Sequence, residues 1–135
     1  AMNYEDPMQK TKEDTDRDYD LAQKICVENI DVISFCSGTH NEKSALYLLD
    51  LMKEHNIAKD DARIYFAQLL GMSNHISNNL AKASYNVAKY VPYGPVKDVT
   101  PYLIRRAEEN TSISGQTGRE LQLIQKELER RRREV

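Results

Sequence analysis

Two adjacent arginines, Arg105 and Arg106, are the residues of this sequence best suited to binding a carboxylate. Tyr102 and Glu109 lie close by, and on a helix the four positions share one face, because their offsets are three, four and seven residues. Neighbouring guanidinium groups can hold one carboxylate through directional, charge-assisted hydrogen bonds. The same spacing also allows an ordinary ion pair between Arg105 and Glu109 on a solvated helix, and spacing alone favours that simpler interpretation.

Short apolar runs and helical patterns alternate along the chain and must position these residues. Three buried strands are predicted from the apolar runs: Val32–Cys36, Arg63–Leu70 and Asn86–Val91. Five helices are predicted from apolar periodicity: Asp16–Asn29, Glu42–Glu54, Ile76–Ala83, the segment from the loop Pro92–Pro95 to Asn110, and Gly118–Arg132. Thr15 and Asp18 indicate the first helix start. Pro101 should lie near the start of the fourth helix or kink it.

Three β-α units in series predict an α/β fold with a parallel sheet and right-handed crossovers. Three strands cannot close a barrel, so one face and one edge of the sheet should remain uncovered, which invites self-association. The predicted domain organisation is a polar leader over 1–14, with a cloning remnant at 1–2, an α/β unit over 15–113, and a linker and charged helix over 114–135.

Composition limits the functional classes. The chain has 135 residues, a net charge of −2 and a pI near 5.9, which describe one small domain and do not favour nucleic acid as a partner. We find no apolar run that could span a bilayer and no signal-type amino terminus, and therefore predict a cytoplasmic location. The run Arg130–Arg133 suits a solvated helix end, with an acidic membrane surface as the weaker alternative.

Cysteine and histidine usage gives no support to a metal centre. Cys26 and Cys36 form neither a C-x-x-C motif nor a secreted-type framework, and we expect both to be reduced. The histidines, at positions 40, 55 and 75, form no H-E-x-x-H motif and no cluster with cysteine. The sequence therefore predicts no metal site.

Three ordered segments resemble a known family. The segment from Tyr90 to Asn110 reads Y-V-P-Y-G-P-V-x-x-V-x-P-Y-L-I-R-R-A-x-E-N and is similar to the last strand, loop and helix of flavin-dependent proline dehydrogenases. The upstream segments Cys36–Glu42 and Tyr65–Met72 look like the two preceding strand ends of that family, in the same order. The resemblance covers nearly the whole chain. It implies a sector of a (β/α)8 barrel that contains strands six to eight, and hence a fragment of a longer enzyme.

The resemblance also implies a reaction and its partners. In the family, FAD accepts a hydride from L-proline, the product is 1-pyrroline-5-carboxylate, and a quinone-type acceptor takes the electrons. Because the cofactor carries this chemistry, the protein must bind the carboxylate, orient the ring and exclude water. The expected location then extends to the periphery of the inner membrane, with peripheral membrane contact.

Roles for individual residues follow from the resemblance. Arg105 and Arg106 match the arginines that bind the substrate carboxylate, and Glu109 matches a carboxylate that orients neighbouring groups. Tyr90 and Tyr102 match the tyrosines that pack around bound proline, and Leu69 matches an apolar wall. The loop residues Thr39, His40 and Asn41 match a segment that contacts the flavin. Simpler interpretations stay open: Leu69 could belong to the core, Asn41 could cap a helix, and His40 could be a surface histidine.

Two consequences concern the isolated chain. Since the family's other flavin contacts lie upstream of the matched segments, we expect this chain alone to bind FAD weakly or not at all and to be inactive. It should associate with itself or with the missing amino-terminal part. The alternative is a non-catalytic half-barrel interaction module that completes a site with another chain. A phosphate-binding barrel sector ranks last, because Gly71 and Gly94 occur singly rather than in a glycine-rich turn.

Overall fold

The protein contains two compact units, Ala1–Tyr90 and Val91–Val135. A computed structural model describes residues 9–112 and 116–133, with the side chains of 9–106, 122, 125, 126 and 128–133. The first unit comprises, in chain order, α1 (Lys12–Glu28), β1 (Phe35–Gly38), α2 (Glu42–Glu54), β2 (Ile64–Leu69), α3 (Asn74–Lys82) and β3 (Val87–Tyr90). The second comprises α4 (Val96–Ser112) and α5 (Gln116–Arg133). Among the described helices, none is long and apolar enough to cross a bilayer.

The three strands form one parallel sheet in the order β1-β2-β3. Gly38 pairs with Ala67 and Ala67 with Ala88, so one row of residues crosses all three strands. Two residues further along β2, Leu69 pairs with Tyr90 at the ends of β2 and β3. The predicted parallel sheet of three consecutive β-α units is confirmed, and all three strands point their carboxyl ends the same way.

One face of the sheet is buried beneath the helices. Ile64 and Phe66, both 1% exposed, lie on this face of β2. They join a single core cluster with residues of all three helices of the unit, namely Val27, Ala45, Leu48, Leu51, Met52, Ile76 and Leu80. Alternate residues of β2 point to the opposite face, where Tyr65 is 41% exposed. The helices therefore cover one face and leave the other open, in agreement with the uncovered face predicted above.

The first helix begins at Lys12, earlier than the predicted Asp16. The hydroxyl oxygen of Thr11 accepts a hydrogen bond from the backbone N–H of Asp14 at 3.1 Å, so Thr11 is the N-cap. Thr15 lies inside the helix, where its hydroxyl donates to the carbonyl oxygen of Thr11 at 3.2 Å. Thr11 with Asp14 and Thr15 with Asp18 have the same helix-start spacing, and the helix begins at the first of these pairs.

The first strand begins at Phe35 rather than at the predicted Val32, and Gly38 belongs to it. The backbone N–H groups of Val32 and Ile33 both donate to the carbonyl oxygen of Asn29, each at 3.1 Å. They extend the turn that ends α1, so this part of the chain does not join the sheet, and Val32 is 86% exposed. The prediction over Val32–Cys36 was wrong at its start, because the helix end takes these donors.

The other elements lie close to their predicted bounds. Helix α2 coincides with the prediction, and Asn41 caps it by accepting a hydrogen bond from Lys43 N–H at 3.0 Å. Helix α4 runs through Pro101, two turns of helix from Gly94. A Cβ atom at Gly94 would lie 3.1 Å from the Val99 side chain, and its φ of 155° also favours glycine in the turn before the helix.

A buried polar chain ties α1 to β1 and α2. The Tyr19 hydroxyl lies 3.2 Å from the hydroxyl of Ser37, which donates to the side-chain oxygen of Gln23 at 2.9 Å. The Gln23 amide nitrogen donates in turn to the carbonyl oxygen of Ser44 at 3.2 Å. Burial raises the pKa of Tyr19. Because these polar groups satisfy one another, the helix layer can contain them without the penalty of an unpaired buried group.

An ion pair closes the opposite, amino-terminal edge of the sheet. The guanidinium of Arg63 donates from Nε and Nη2 to the two carboxylate oxygens of Asp61, at 2.9 and 2.7 Å. Its Nη1 donates to the carbonyl oxygen of Ile30 at 3.3 Å. These bonds hold the pKa of Asp61 at about 2, below the ordinary value of 3.8. The pair therefore anchors the segment before β2 to the turn after α1.

Acid should weaken the fold through Asp61. Since its pKa is lower in the folded chain, the ionised carboxylate stabilises the fold above about pH 4, and this contribution disappears as the pH falls towards 2. Asp61→Asn should flatten that part of the stability curve, measured as the free energy of urea unfolding between about pH 2 and pH 5. The neighbouring variant Asp60→Asn serves as the control and should keep the wild-type slope. Equal slopes for Asp61→Asn and the unchanged protein would contradict the assignment.

Candidate active site at the carboxyl ends of the strands

The carboxyl ends of the three strands lie along one edge of the sheet. Strand β1 leads into the loop Thr39–Asn41, β2 ends at Leu69, and β3 ends at Tyr90. The backbone N–H of Leu70 donates to the carbonyl oxygen of Tyr90 at 3.0 Å, which continues the ladder beyond Leu69. This edge brings together the predicted site residues of the first unit, as expected for parallel strands.

Leu69 and Tyr90 lie side by side on the open face of the sheet. They are register partners, and Tyr90 is 55% exposed while Leu69 is half-buried. The residues beneath them on the same face are small, because Ala67 and Ala88 form the preceding pair on β2 and β3. Leu69 is not a member of the buried core cluster. The structure therefore gives this edge an apolar and aromatic surface above a row of small side chains.

The loop Thr39–Asn41 is held by local hydrogen bonds. The backbone N–H of Asn41 donates to the hydroxyl oxygen of Thr39 at 3.0 Å, and the Asn41 side chain caps α2. The interpretation of Asn41 as a helix cap is thus confirmed. His40 is half-buried, and its Nδ1 atom lies 2.9 Å from the hydroxyl oxygen of Ser73. His40 consequently differs from an ordinary surface histidine, since a buried serine holds its ring.

Buried or half-buried polar side chains support this edge from the helix-covered face. The Gln68 amide donates to the carbonyl oxygen of Thr39 at 3.4 Å and accepts from the Ser77 hydroxyl at 2.7 Å. The Lys89 ammonium donates to the carbonyl oxygen of Met72 at 2.8 Å, and burial lowers the pKa of Lys89. These contacts were not predicted from the sequence. Polar residues within otherwise apolar strands are the signal that could have revealed Gln68 and Lys89.

In the second unit, α4 carries the predicted carboxylate-binding residues. The guanidinium carbon of Arg106 lies 5.3 Å from the centre of the Tyr102 ring, a cation–π contact between residues four positions apart. Arg106 and Tyr102 are half-buried, whereas Arg105 is exposed. Glu109 lies in α4, but its side chain, and with it the predicted pairing to Arg105, falls outside the described residues. Of the four residues expected on one helical face, Tyr102 and Arg106 are in contact with each other.

A family model described as Proline dehydrogenase matches residues 1–119 of the chain. The chain belongs to the proline dehydrogenase family. This match confirms the resemblance drawn from the segments at the three strand ends. The matched range includes all three segments, at the ends of β1, β2 and β3.

Individual relatives are similar to nearly the whole chain. Human "Proline dehydrogenase 1, mitochondrial" is 43% identical over 98% of this chain, and the Caenorhabditis elegans protein of the same name is 38% identical over 97%. "Hydroxyproline dehydrogenase" of Xenopus laevis is 40% identical over 95%. The chain spans only 22% of the length of the human and C. elegans relatives and 28% of the Xenopus relative.

A solved structure shares the fold. Proline utilization A from Bdellovibrio bacteriovorus, determined after inactivation by N-propargylglycine, superposes with a TM-score of 0.72 at 30% sequence identity. The match covers 79% of this chain and 11% of that protein. It confirms the predicted fold class, a barrel sector of three parallel strands with flanking helices.

The predicted cytoplasmic location is wrong. The human, bovine, C. elegans and Arabidopsis relatives are all named as mitochondrial proline dehydrogenases, which points to the mitochondrion instead. The error arose because the prediction relied on the first residues of the given sequence and on the expectation of reduced cysteines. Neither property distinguishes the cytoplasm from an organelle that imports soluble domains.

The loop Thr39–Asn41 offers hydrogen-bond donors of the type that FAD requires. The Thr39 hydroxyl accepts from Asn41 N–H, which leaves its own proton to donate. The Asn41 side-chain oxygen is used by the helix cap, so its NH2 group remains as a donor. Hydroxyl and amide donors suit the ring carbonyl, ribityl and phosphate oxygens of a flavin dinucleotide. The side chains present at this loop therefore fit the cofactor that the family resemblance implies.

The contact between Tyr102 and Arg106 should be measurable as a coupling free energy. In a double-mutant cycle with Tyr102→Leu and Arg106→Met, the two changes should couple by about 0.5–1 kcal/mol in the free energy of urea unfolding. The same cycle with Arg105→Met is the matched control, because Arg105 is exposed, and its coupling to Tyr102 should be close to zero. Equal coupling of both arginines to Tyr102 would argue against a specific ring contact.

Proposed function

We propose that this chain is the carboxy-terminal sector of a flavin-dependent proline dehydrogenase barrel, which oxidises L-proline to 1-pyrroline-5-carboxylate. The whole enzyme transfers a hydride from the substrate to FAD and delivers the electrons to a quinone-type acceptor. The chain itself supplies one side of the active site. Family membership supports the reaction class. The cofactor, the substrate and the assignment of this chain to only part of the barrel belong to the proposal.

The pairing of Leu69 with Tyr90 is the observation that carries the proposal. Both residues lie at the carboxyl ends of neighbouring parallel strands and on the open face of the sheet. Active sites of β/α barrels form at this end of the strands. An apolar side chain beside an aromatic side chain suits the small saturated ring of a substrate. Both side chains exclude water from the substrate, and neither reacts with it. We assign Leu69 as the wall of the proline site and Tyr90 as a packing residue.

The arginines of α4 are proposed to bind the substrate carboxylate. A guanidinium group offers a planar fork of N–H donors that matches the two carboxylate oxygens, and it stays protonated at all relevant pH values. Stacking of Arg106 on the Tyr102 ring restricts the rotation of its long side chain before substrate arrives. Glu109, one turn further along α4, is assigned the role of orienting neighbouring donors.

The loop Thr39–Asn41 is proposed to contact the flavin. FAD, when bound, supplies the hydride acceptor that the side chains of the protein lack. The task of Thr39, His40 and Asn41 is to donate hydrogen bonds to cofactor oxygens and to hold the cofactor at the strand ends. This division leaves the polypeptide with binding, orientation and exclusion of water, which are positioning tasks.

Removal of either arginine should impair proline oxidation in the complete barrel. With the chain co-expressed alongside the rest of the parent protein, Arg105→Met or Arg106→Met should lower kcat/KM by about 30- to 1000-fold, equivalent to about 2–4 kcal/mol. The readout is proline-dependent dye reduction. Arg17→Met, which alters an exposed arginine of α1, is the matched control and should retain wild-type kinetics. Wild-type kinetics in the two test variants would contradict the proposed role of both arginines in binding the substrate carboxylate.

The 135-residue chain alone should retain little or no flavin. Three strands cannot enclose a cofactor that lies across the end of an eight-stranded barrel, so most of the binding contacts are missing. Absorbance of the purified chain near the flavin bands should be far below one flavin per chain. Purification together with the rest of the barrel should restore the band. A nearly stoichiometric flavin in the isolated chain would contradict the proposed division of the barrel.

A further inference from the structure

Ser73, the residue before α3, uses its side chain in an unexpected way. It occupies the N-cap position of α3, where a serine hydroxyl ordinarily accepts a hydrogen bond from the backbone of the helix. Here the side chain makes no such bond, and the backbone is left-handed, with φ 48° and ψ 41°. Ser73 is also only 5% exposed. Both the lost cap and the left-handed backbone disfavour this position, so another contact must explain the conformation.

That contact is with His40. The hydroxyl oxygen of Ser73 lies 2.9 Å from Nδ1 of His40. Among the described residues, this is the hydrogen bond that the Ser73 hydroxyl makes. A buried hydroxyl that donates to nothing is strongly disfavoured, so the hydroxyl donates and Nδ1 accepts. A neutral imidazole has one proton, which must then lie on Nε2.

The same loop is held from a second side by Gln68. Its amide nitrogen donates to the carbonyl oxygen of Thr39, the residue before His40, and its amide oxygen accepts from Ser77. Gln68 and Ser77 are 2% and 4% exposed. Ser77 also donates to the carbonyl oxygen of Ser73 at 3.3 Å. The backbone and the ring of the loop are thus attached to β2 and α3 through buried groups.

We propose that Ser73 is a positioning residue that fixes His40 as the tautomer protonated on Nε2, while Gln68 anchors the preceding carbonyl group. A fixed Nε2–H group is a hydrogen-bond donor suited to a carbonyl, hydroxyl or phosphate oxygen of a ligand. The role towards a flavin rests on the proposed function. The tautomer is inferred from the contact between Ser73 and His40.

Nitrogen-15 NMR of the histidine rings tests the tautomer in the 135-residue chain without any flavin. The chain has three histidines, and His40→Asn identifies the signals of His40. Above the imidazole pKa, at about pH 8, His40 should show an unprotonated Nδ1 and a protonated Nε2. Ser73→Gly should shift both signals towards an average of the two tautomers and leave His55 and His75 unchanged. Glycine is chosen because it accepts the left-handed backbone, so the variant should fold.

Ser77→Ala is the matched control, since it removes a neighbouring hydroxyl and leaves the contact between Ser73 and His40 intact. It should preserve the Nε2-protonated pattern of His40. A His40 ring protonated on Nδ1 in the unchanged chain would overturn the inference. The same conclusion would follow if Ser73→Gly left the His40 signals where they were.

Flavin affinity in the complete barrel tests the positioning role. Ser73→Gly should weaken FAD binding about fivefold to tenfold, measured by equilibrium titration of the apoprotein. If FAD binds the unchanged protein and Ser73→Gly equally well, the positioning role is overturned. If FAD binds no form of the protein while NMR shows the Nε2-protonated ring, the proposed function fails and the tautomer assignment stands.

Discussion

Alternation of side chains along β2 is the constraint on which the rest of the structure depends. Ile64 and Phe66 must both enter the helix-covered core, and each contributes about 1.5–3 kcal/mol by leaving water. Because successive residues of a strand point to opposite faces, this burial directs Leu69 to the open face. The parallel register then places Tyr90 beside it. A slip of one residue would expose the core residues and bury Leu69, so packing of the core fixes the geometry of the candidate site.

Local signals were enough to predict most elements, but not where a helix end competes with a strand. Helix α2 was predicted to the residue, because its cap, Asn41, and its apolar period lie within the segment itself. The run from Val32 has the β-branched, apolar character of a strand, yet Asn29 takes the backbone donors that pairing with β2 would need. The outcome depends on the geometry of the end of α1. A one-dimensional pattern does not contain that information.

Some features of the candidate site were also predictable from the sequence and others were not. The strand ends carrying Leu69 and Tyr90 were predictable, because three motifs in order along a parallel sheet must meet at one edge. The supporting contacts were not predictable, since Gln68 reaches Thr39 across 29 residues of sequence and Ser73 reaches His40 across 33. Sequence can mark a polar residue in an apolar strand as unusual. It cannot name the partner, because many loops of similar composition could supply the missing acceptor.

Two different interactions restrict side chains or backbone at the candidate site residues of this chain, one in each unit. In the first unit, hydrogen bonds from Gln68 and Ser73 hold the loop Thr39–Asn41. In the second, the Tyr102 ring restricts the guanidinium of Arg106. A site that transferred a hydride through a cofactor, as proposed above, would gain little from reactive side chains of its own. It would gain from groups whose freedom is already lost before the ligand binds, since that loss no longer opposes binding. The proposed function would therefore explain why polar groups are buried behind the strand ends, in a core that could have been wholly apolar.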